Sequence, residues 1–375
     1  MAQPASTQDV GKPVALLDTP ALLVDLDALD HNIATMAAAA AKAGADWRPH
    51  IKASKAPGLA QRLVAAGAVG VTSAKVSEAE AMVDAGLVDS GMTDILIANE
   101  VVGPIKIARL ARLAQRARIC IAVDHVDNLR EVAAAMQAAE TSVDLLIDIN
   151  VNMNRCGILP EAAPALAEQI QDLANSTGGV RLRGLMGYEG HVMGLEPEAK
   201  ERESAAAADV LREARRLVEA AGFPVETTSG GGTGNYTIAL AQGHLTELQA
   251  GGGVLMDQAY VAMGVKGHQP SLFVLTQIIS VPDDKRAIGD AGWKTTGMHT
   301  GLPIVHGRDD LQVRGLNAEH TIYQLSPRVH VRPGDQITLI PAYSDSTILL
   351  HRQLHAVRDG VVEEVWPISA AGVLQ

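Results

Sequence analysis

From Ala21 to about Asp257 the chain keeps one rhythm: a short apolar run, then a longer Ala-rich segment with helical spacing. That alternation constrains the fold more than any single residue. The apolar runs cover residues 21–26, 47–52, 70–74, 95–99, 119–124, 145–150, 184–189, 226–229 and 248–256. Helical segments lie at 27–43, 77–85, 104–116, 126–139, 160–173 and 197–221. Several open at a proline (Pro104, Pro160, Pro197) and close at a glycine (Gly44, Gly86, Gly222), as helix ends prefer. Short buried strands alternating with amphipathic helices make parallel βα units. A closed (β/α)8 barrel needs about eight strands, so the first run is left over for a second domain.

After Met256 the rhythm changes. Segments 272–279, 286–290, 328–331, 336–340, 355–358 and 361–366 are short and alternating, separated by Pro-Asp, Pro-Gly-Asp and Asp-Gly turns, which favour antiparallel strands. The expected architecture is therefore α/β: a TIM-type (β/α)8 barrel over residues 26–260. An antiparallel β domain is built from residues 1–25 plus 261–375.

Composition narrows the function classes. Hydrophobic residues make up 47% of the 375 and aromatics 3%, so the core rests on Ala, Val, Leu and Ile, which suits buried parallel strands. A formal net charge of -12 without a long basic run argues against nucleic acid or an anionic membrane as partner. Cys120 and Cys156 are the two cysteines, too few for a disulfide framework or a thiolate-rich metal site. The first residues lack the basic start and apolar run of a signal peptide, and no apolar stretch approaches a membrane span. The expectation is a cytoplasmic enzyme acting on a small molecule.

Barrel enzymes place their chemistry on the loops after the strands. Lys52 ends the run Trp47-Arg48-Pro49-His50-Ile51-Lys52. A lysine at such a strand end loses part of its hydration, which favours the neutral amine that covalent catalysis needs. Lys55, expected on the first turn of the next helix, is the rival nucleophile. Ser229-Gly230-Gly231-Gly232-Thr233-Gly234 follows the seventh barrel strand and Gly251-Gly252-Gly253 the eighth, where this fold holds phosphates. Consecutive glycine amides can approach an anion, with hydroxyls of Ser229 and Thr233 to supplement them. Arg155, in Asn152-Met153-Asn154-Arg155-Cys156-Gly157, offers a planar donor fork beyond Asp148 and Asn150. Tyr188, Glu189 and His191, at the next strand end, are acid–base candidates, with Glu189 and His191 expected to pair.

Together these residues resemble the D-threonine aldolase and D-serine dehydratase group, which shares the alanine racemase-type barrel of fold III pyridoxal-phosphate enzymes. The resemblance runs from Asp18-Thr19-Pro20-Ala21 through Arg48-Pro49-His50-Ile51-Lys52, Asn99-Glu100-Val101-Val102-Gly103, Arg155-Cys156-Gly157 and Gly230-Gly231-Gly232-Thr233-Gly234 to Asp290-Ala291-Gly292. It implies pyridoxal 5'-phosphate carried as a Schiff base on Lys52. The cofactor-binding residues it implies are His50, Arg155, Tyr188, Ser229, Gly231, Gly232 and Thr233. It further implies a homodimer. Metal-dependent members carry a His-x-Asp or His-x-Cys pair in the second domain. Here Tyr343 stands where that histidine is expected and Asp345 remains, leaving at most a weak Mn or Mg site unless His351 or His355 compensates.

The expected reaction is retro-aldol cleavage of a D-configured β-hydroxy-α-amino acid, with catalytic residues Lys52, Tyr188 and His191. His191 takes the β-hydroxyl proton and Tyr188 with Lys52 handles the proton at Cα. β-Elimination on the same site, as in a dehydratase, is the alternative. Behind it stand racemisation, and a carrier of pyridoxal phosphate without catalysis.

Overall fold

Eight parallel strands follow one another around a single sheet in the computed structural model, which describes residues 7–88 and 94–375. The chain begins with β1 (Ala21–Asp25) and α1 (Leu26–Lys42), then enters the parallel sheet at β2 (Asp46–Trp47). After α2 (Pro57–Ala65) come β3 (Val71–Ser73), α3 (Val76–Asp84), β4 (Asp94–Glu100), α4 (Pro104–Ala114), β5 (Arg118–Val123), α5 (Val126–Ala138) and β6 (Val143–Asp148). The series closes with α6 (Ala163–Thr177), β7 (Val180–Gly187), α7 (Pro197–Ala220), β8 (Thr227–Gly230), α8 (Tyr236–Ala241) and β9 (Glu247–Leu248). The sheet order is β2-β9-β8-β7-β6-β5-β4-β3. The remaining seam is joined by a parallel bridge between His50 and Thr72, with Ile51 donating to the Thr72 carbonyl at 2.8 Å and Thr72 to that of Pro49 at 2.9 Å. The sheet is a (β/α)8 barrel.

The sequence explains the helices that flank it. α4 opens with Pro104 after Gly103 and buries Ile107, Leu110, Ala111 and Leu113, one stripe at helical spacing. α7 buries Ser204, Ala207, Ala208, Leu211, Ala214 and Val218 on the same pattern. β6, Val-Asp-Leu-Leu-Ile-Asp, is buried throughout, as a strand covered on both faces must be.

The floor of the barrel is charged rather than apolar. Arg48, 1% exposed, donates through Nε to Glu247 Oε2 at 2.7 Å and through a terminal nitrogen to Asp94 Oδ2 at 3.0 Å. Arg183 on β7 reaches the same Asp94 oxygen at 2.9 Å. β5 and β6 separate β4 from β7 in the sheet, so this contact crosses the lumen. Leu96, Cys120, Ala122, Leu146 and Met186 form a single apolar cluster. Leu96 stands two residues beyond Asp94 on β4 and Met186 three beyond Arg183 on β7, further towards the C-terminal ends of these strands. Residues two to four places later emerge at the C-terminal mouth.

The second unit is a mostly antiparallel sheet. β10 (Leu272–Asp283), β11 (Arg286–Gly289), β12 (Ile304–Val305), β13 (Leu311–Leu316), β14 (Thr321–Leu325), β15 (Gln336–Ile340), β16 (Gln353–Arg358) and β17 (Val361–Pro367) belong to it. Its main path is β13-β14-β11-β10-β1-β16-β17, with β15 between β10 and β12. The surplus first strand is indeed spent here, antiparallel to β10 and parallel to β16. Leu17, Ala21, Leu23, Phe273, Leu275, Ile340, Val357 and Val362 form one core cluster. The chain divides into compact units of residues 36–52, 60–251 and 373–375 on one side and 1–35, 53–59 and 252–372 on the other, of which 1–6 and 89–93 lie outside the described residues.

Several expectations need correction. Residues 328–331 are not a strand: Arg328 has φ +69 and sits in a turn. β13 and β14 were not foreseen, nor was α8, and α2 starts at Pro57. The runs at 47–52 and 248–256 keep only one ladder residue each, Trp47 and Leu248, before the chain turns. Lys55 precedes α2 rather than riding its first turn; it has φ +51 and is 6% exposed.

Candidate active site

The C-terminal ends of the barrel strands gather most of the residues singled out from sequence. Lys52 follows β2 on a turn whose geometry is fixed locally: its N–H donates to His50 Nδ1 at 3.2 Å. A Cβ on Gly251 would stand 2.4 Å from the His50 carbonyl oxygen, so that glycine lets the last strand pass close behind the turn. Tyr188 follows β7. Lys52 Nζ lies 5.9 Å from the centre of the Tyr188 ring and the Arg155 guanidinium carbon 5.4 Å from it. Both cations face an aromatic ring at the outer range of cation–π contact. Lys52, Tyr188 and Arg155 therefore meet as expected.

Arg155 is presented by a constrained loop. Asn150 and Asn154 exchange hydrogen bonds, Asn154 N–H to Asn150 Oδ1 at 3.0 Å and Asn150 Nδ2 to Asn154 Oδ1 at 3.1 Å. Gly157 at φ +94 donates to Asp124 Oδ2 at 3.1 Å. A Cβ there would meet Asn150 N at 2.7 Å, which makes the glycine of Arg-Cys-Gly obligatory for this return.

The glycine loop after β8 differs in detail from the sequence reading. Gly231 has φ +80, and a Cβ on Gly232 would meet Met193 at 2.7 Å and the Tyr188 ring at 2.9 Å. The glycines thus make room for the ring of Tyr188. Yet the Gly231 amide donates to Glu189 Oε2 at 3.2 Å and the Gly232 amide to Asn235 Oδ1 at 3.1 Å. Ser229 looks downward, donating to Glu247 Oε1 at 2.7 Å and accepting from Gln249 Nε2 at 2.9 Å. Its hydroxyl belongs to the polar network of the lumen. Behind the loop, the buried amine of Lys200 on α7 donates to the Gly234 carbonyl at 3.2 Å.

Glu189 and His191 do not pair as expected. Glu189 is 2% exposed and burial pushes its carboxyl up to about 7. Both ring nitrogens of His191 are buried without a hydrogen-bond partner. A polar ring left this way carries a desolvation cost that a bound ligand would relieve. Sequence reading also passed over Glu100 at the end of β4. Burial first, then neighbouring Glu100, raises the Asp148 acid well above the carboxylate range. Alternation along β4 and β6 could have placed both on the mouth side.

These residues fit pyridoxal phosphate on two counts, an amine beside an aromatic ring and an imidazole with unmet hydrogen bonds; the Gly231 and Gly232 amides, by contrast, already bond to Glu189 and Asn235. The fit to a divalent metal fails. In the other unit Tyr343 packs against Tyr260 and His299, with ring centres 6.2 and 5.8 Å apart. His351 Nε2 lies 2.9 Å from the Thr295 carbonyl. His355 Nδ1 is 3.1 Å from the Leu22 carbonyl and its Nε2 3.2 Å from Asp9 Oδ2. Among the described residues no three His, Cys, Asp or Glu side chains gather around a point that could hold a metal, Asp345 included.

Comparison with known proteins agrees with this geometry. Residues 24–259 match the family "Alanine racemase, N-terminal domain" and residues 271–357 the "Putative serine dehydratase domain". A D-threonine aldolase of Arthrobacter sp is 39% identical over 96% of this chain and 95% of its own. A 3-hydroxy-D-aspartate aldolase of Paracoccus denitrificans is 35% identical, covering 95% and 92%. The crystal structure of D-threonine aldolase from Filomicrobium marinum superposes with a TM-score of 0.91 at 34% identity, covering 98% of this chain and 99% of that one. The chain belongs to the alanine racemase-fold family of pyridoxal-phosphate enzymes, in the group that contains the D-threonine aldolases.

Proposed function

We propose that this lyase cleaves D-configured β-hydroxy-α-amino acids by a retro-aldol step, giving glycine or another small amino acid and an aldehyde. The observation that carries the site is Tyr188 with both Lys52 Nζ, at 5.9 Å, and the Arg155 guanidinium carbon, at 5.4 Å, near its ring centre, at the C-terminal mouth of the barrel. The chemistry that pyridoxal phosphate supplies when bound is delocalisation of the electron pair left on Cα.

The residues of this chain do the rest. Lys52 is the residue whose amine would hold the cofactor. Thr233 would take its phosphate together with loop amides other than those of Gly231 and Gly232, which Glu189 and Asn235 already hold, while the Arg155 fork and His50 would hold its ring or the substrate carboxylate. His191 accepts the β-hydroxyl proton as the Cα–Cβ bond breaks and the aldehyde carbonyl forms, gaining the hydrogen bond its buried nitrogens lack. Tyr188 and Lys52 return a proton to Cα. The relatives' substrates support this choice, being D-threonine and 3-hydroxy-D-aspartate by name. Because the donor set around Asp345 does not fit a metal, dialysis against EDTA is expected to leave the rate unchanged.

We further assign the enzyme to the cytoplasm as a homodimer; both cysteines are free, and no helix among the described residues is long and apolar enough to cross a membrane. Sedimentation checks the dimer. For the reaction, the protein is incubated with D-threonine and D-phenylserine, and borohydride is added to a parallel sample. Aldehyde plus glycine, with a reduced adduct mapped to Lys52, is expected. Ammonia and a keto acid would replace the retro-aldol reading with β-elimination, and an adduct on another lysine would displace Lys52.

A further inference from the structure

The loop that follows β8 has a carboxyl group attached to it. Glu189 Oε2 accepts the Gly231 amide at 3.2 Å, and Gly231 is one of the residues expected to meet the phosphate, so that amide is held by the carboxyl instead. A buried carboxylate normally has a cation or several donors close by. Here the influences on the group are burial and two backbone amides, its own and that of Gly231. The charged side chain on the neighbouring helix, Lys200 of α7, donates to the Gly234 carbonyl. Of the flanking residues, Tyr188 faces Lys52 and Arg155, and His191 has no hydrogen-bond partner.

We infer that Glu189 is a positioning residue that makes anion loading of the glycine loop take up a proton: its carboxyl holds the Gly231 amide, and becomes neutral when a phosphate ester occupies the loop. The inference rests on the phosphate site of the proposed function. A like charge within about 4–6 Å disfavours an ionised carboxyl, and a phosphate ester brings nearly two negative charges at neutral pH. The carboxyl already stands at about 7, burial outweighing the two amides, so repulsion from the phosphate has only to carry it past pH 8. The neutral acid keeps a carbonyl oxygen for the Gly231 amide, so the loop holds its shape while the repulsion disappears. Without this proton the cofactor phosphate would face a buried negative charge that no cation offsets.

The test uses the full chain stripped of bound cofactor and titrated with pyridoxine 5'-phosphate, which lacks the aldehyde and cannot link to Lys52. Calorimetry at pH 8 in two buffers of different ionisation heat counts the protons taken up. The wild type is expected to take up close to one proton more than Glu189→Gln, whose amide oxygen keeps the Gly231 bond without titrating. Above pH 7 the wild-type affinity should fall up to tenfold per pH unit relative to that variant. Glu189→Ala, which removes the acceptor, should bind more weakly at every pH, with Glu189→Gln restoring affinity; a merely structural role would not move the proton count. Equal proton numbers in wild type and Glu189→Gln, both binding, would overturn the inference and leave the cofactor site standing. No binding by either would remove the phosphate site itself, and the inference with it.

Discussion

The two ends of the barrel bury charge in opposite ways. At the floor, Arg48, Glu247, Asp94 and Arg183 form a closed set of ion pairs, with Ser229 and Gln249 completing the hydrogen bonds. At the mouth, Glu189 is buried without a cation, His191 without a hydrogen bond, and Asp148 beside another acid. Buried charges are ordinarily paired, and perturbed, incompletely paired groups collect where ligands bind. The floor is finished as folded; the mouth is not. An apolar layer of Leu96, Cys120, Ala122, Leu146 and Met186 lies between the two along these strands.

The largest effect should come from breaking the floor. Arg48→Met leaves Glu247 and part of the Asp94 charge buried without their partner, and is expected to cost about 3–5 kcal/mol, the usual penalty for an orphaned buried charge. Denaturant unfolding of the cofactor-free chain measures it. Turnover per folded molecule should survive at low temperature, because Arg48 lies at the other end of the lumen from Lys52. A loss below about 1 kcal/mol would mean that water reaches the floor, and the contrast between the ends would dissolve.

How the mouth and floor were read from sequence follows from the distance between partners. The placement of Lys52, Arg155 and Tyr188 at the strand ends was legible because each motif is local, a strand end or a return loop, whereas the bonds that tie up Ser229, Gly231 and Gly232 were not. The floor was not. Arg48 looked like one letter of a motif, and its partner Glu247 lies 199 residues away. The expected Glu189–His191 pair was plausible at that spacing, but the 3-10 turn at Gly190–Val192 sends the two side chains to different neighbours. In the second unit, β13 was hidden by Arg314 and by the irregular register at Gly315, which blur the alternation. The barrel itself was legible because eight strands each carry the same signal.

At the mouth, His191→Leu should separate function from stability. Loss of a general base is expected to lower kcat by about 10²–10⁴-fold, read by aldehyde release. Removing buried nitrogens that lack partners should stabilise the cofactor-free chain by about 1 kcal/mol. A variant that loses activity and stability together would show that His191 is bonded in solution, and would put the mouth on the same footing as the floor.

His244 sharpens the contrast, because it is an exception on the floor side. It precedes β9, is 6% exposed, and neither ring nitrogen has a hydrogen-bond partner. Burial, with the Arg212 guanidinium adding to it, brings its acid down to about 4. The folded state then holds fewer protons than the unfolded one between pH about 4 and 6.5, so this group's stability is complete above 6.5 and is lost as pH falls. Glu189 runs the other way. Its acid is raised from 4.5 to about 7, so its contribution is complete below 4.5 and is lost as pH rises towards 7. Each amounts to about 3 kcal/mol at most. In the cofactor-free wild type the two slopes oppose each other from pH 4.5 to 6.5 and nearly cancel. Relative to the wild type, Glu189→Gln should therefore make stability rise more with pH across that window, and His244→Leu should make it rise less. Denaturation midpoints at pH 5, 6 and 7 distinguish these outcomes. If both variants kept the wild-type profile, neither group would be titrating in the folded chain, and the unfinished charge assigned to the mouth would be solvated after all.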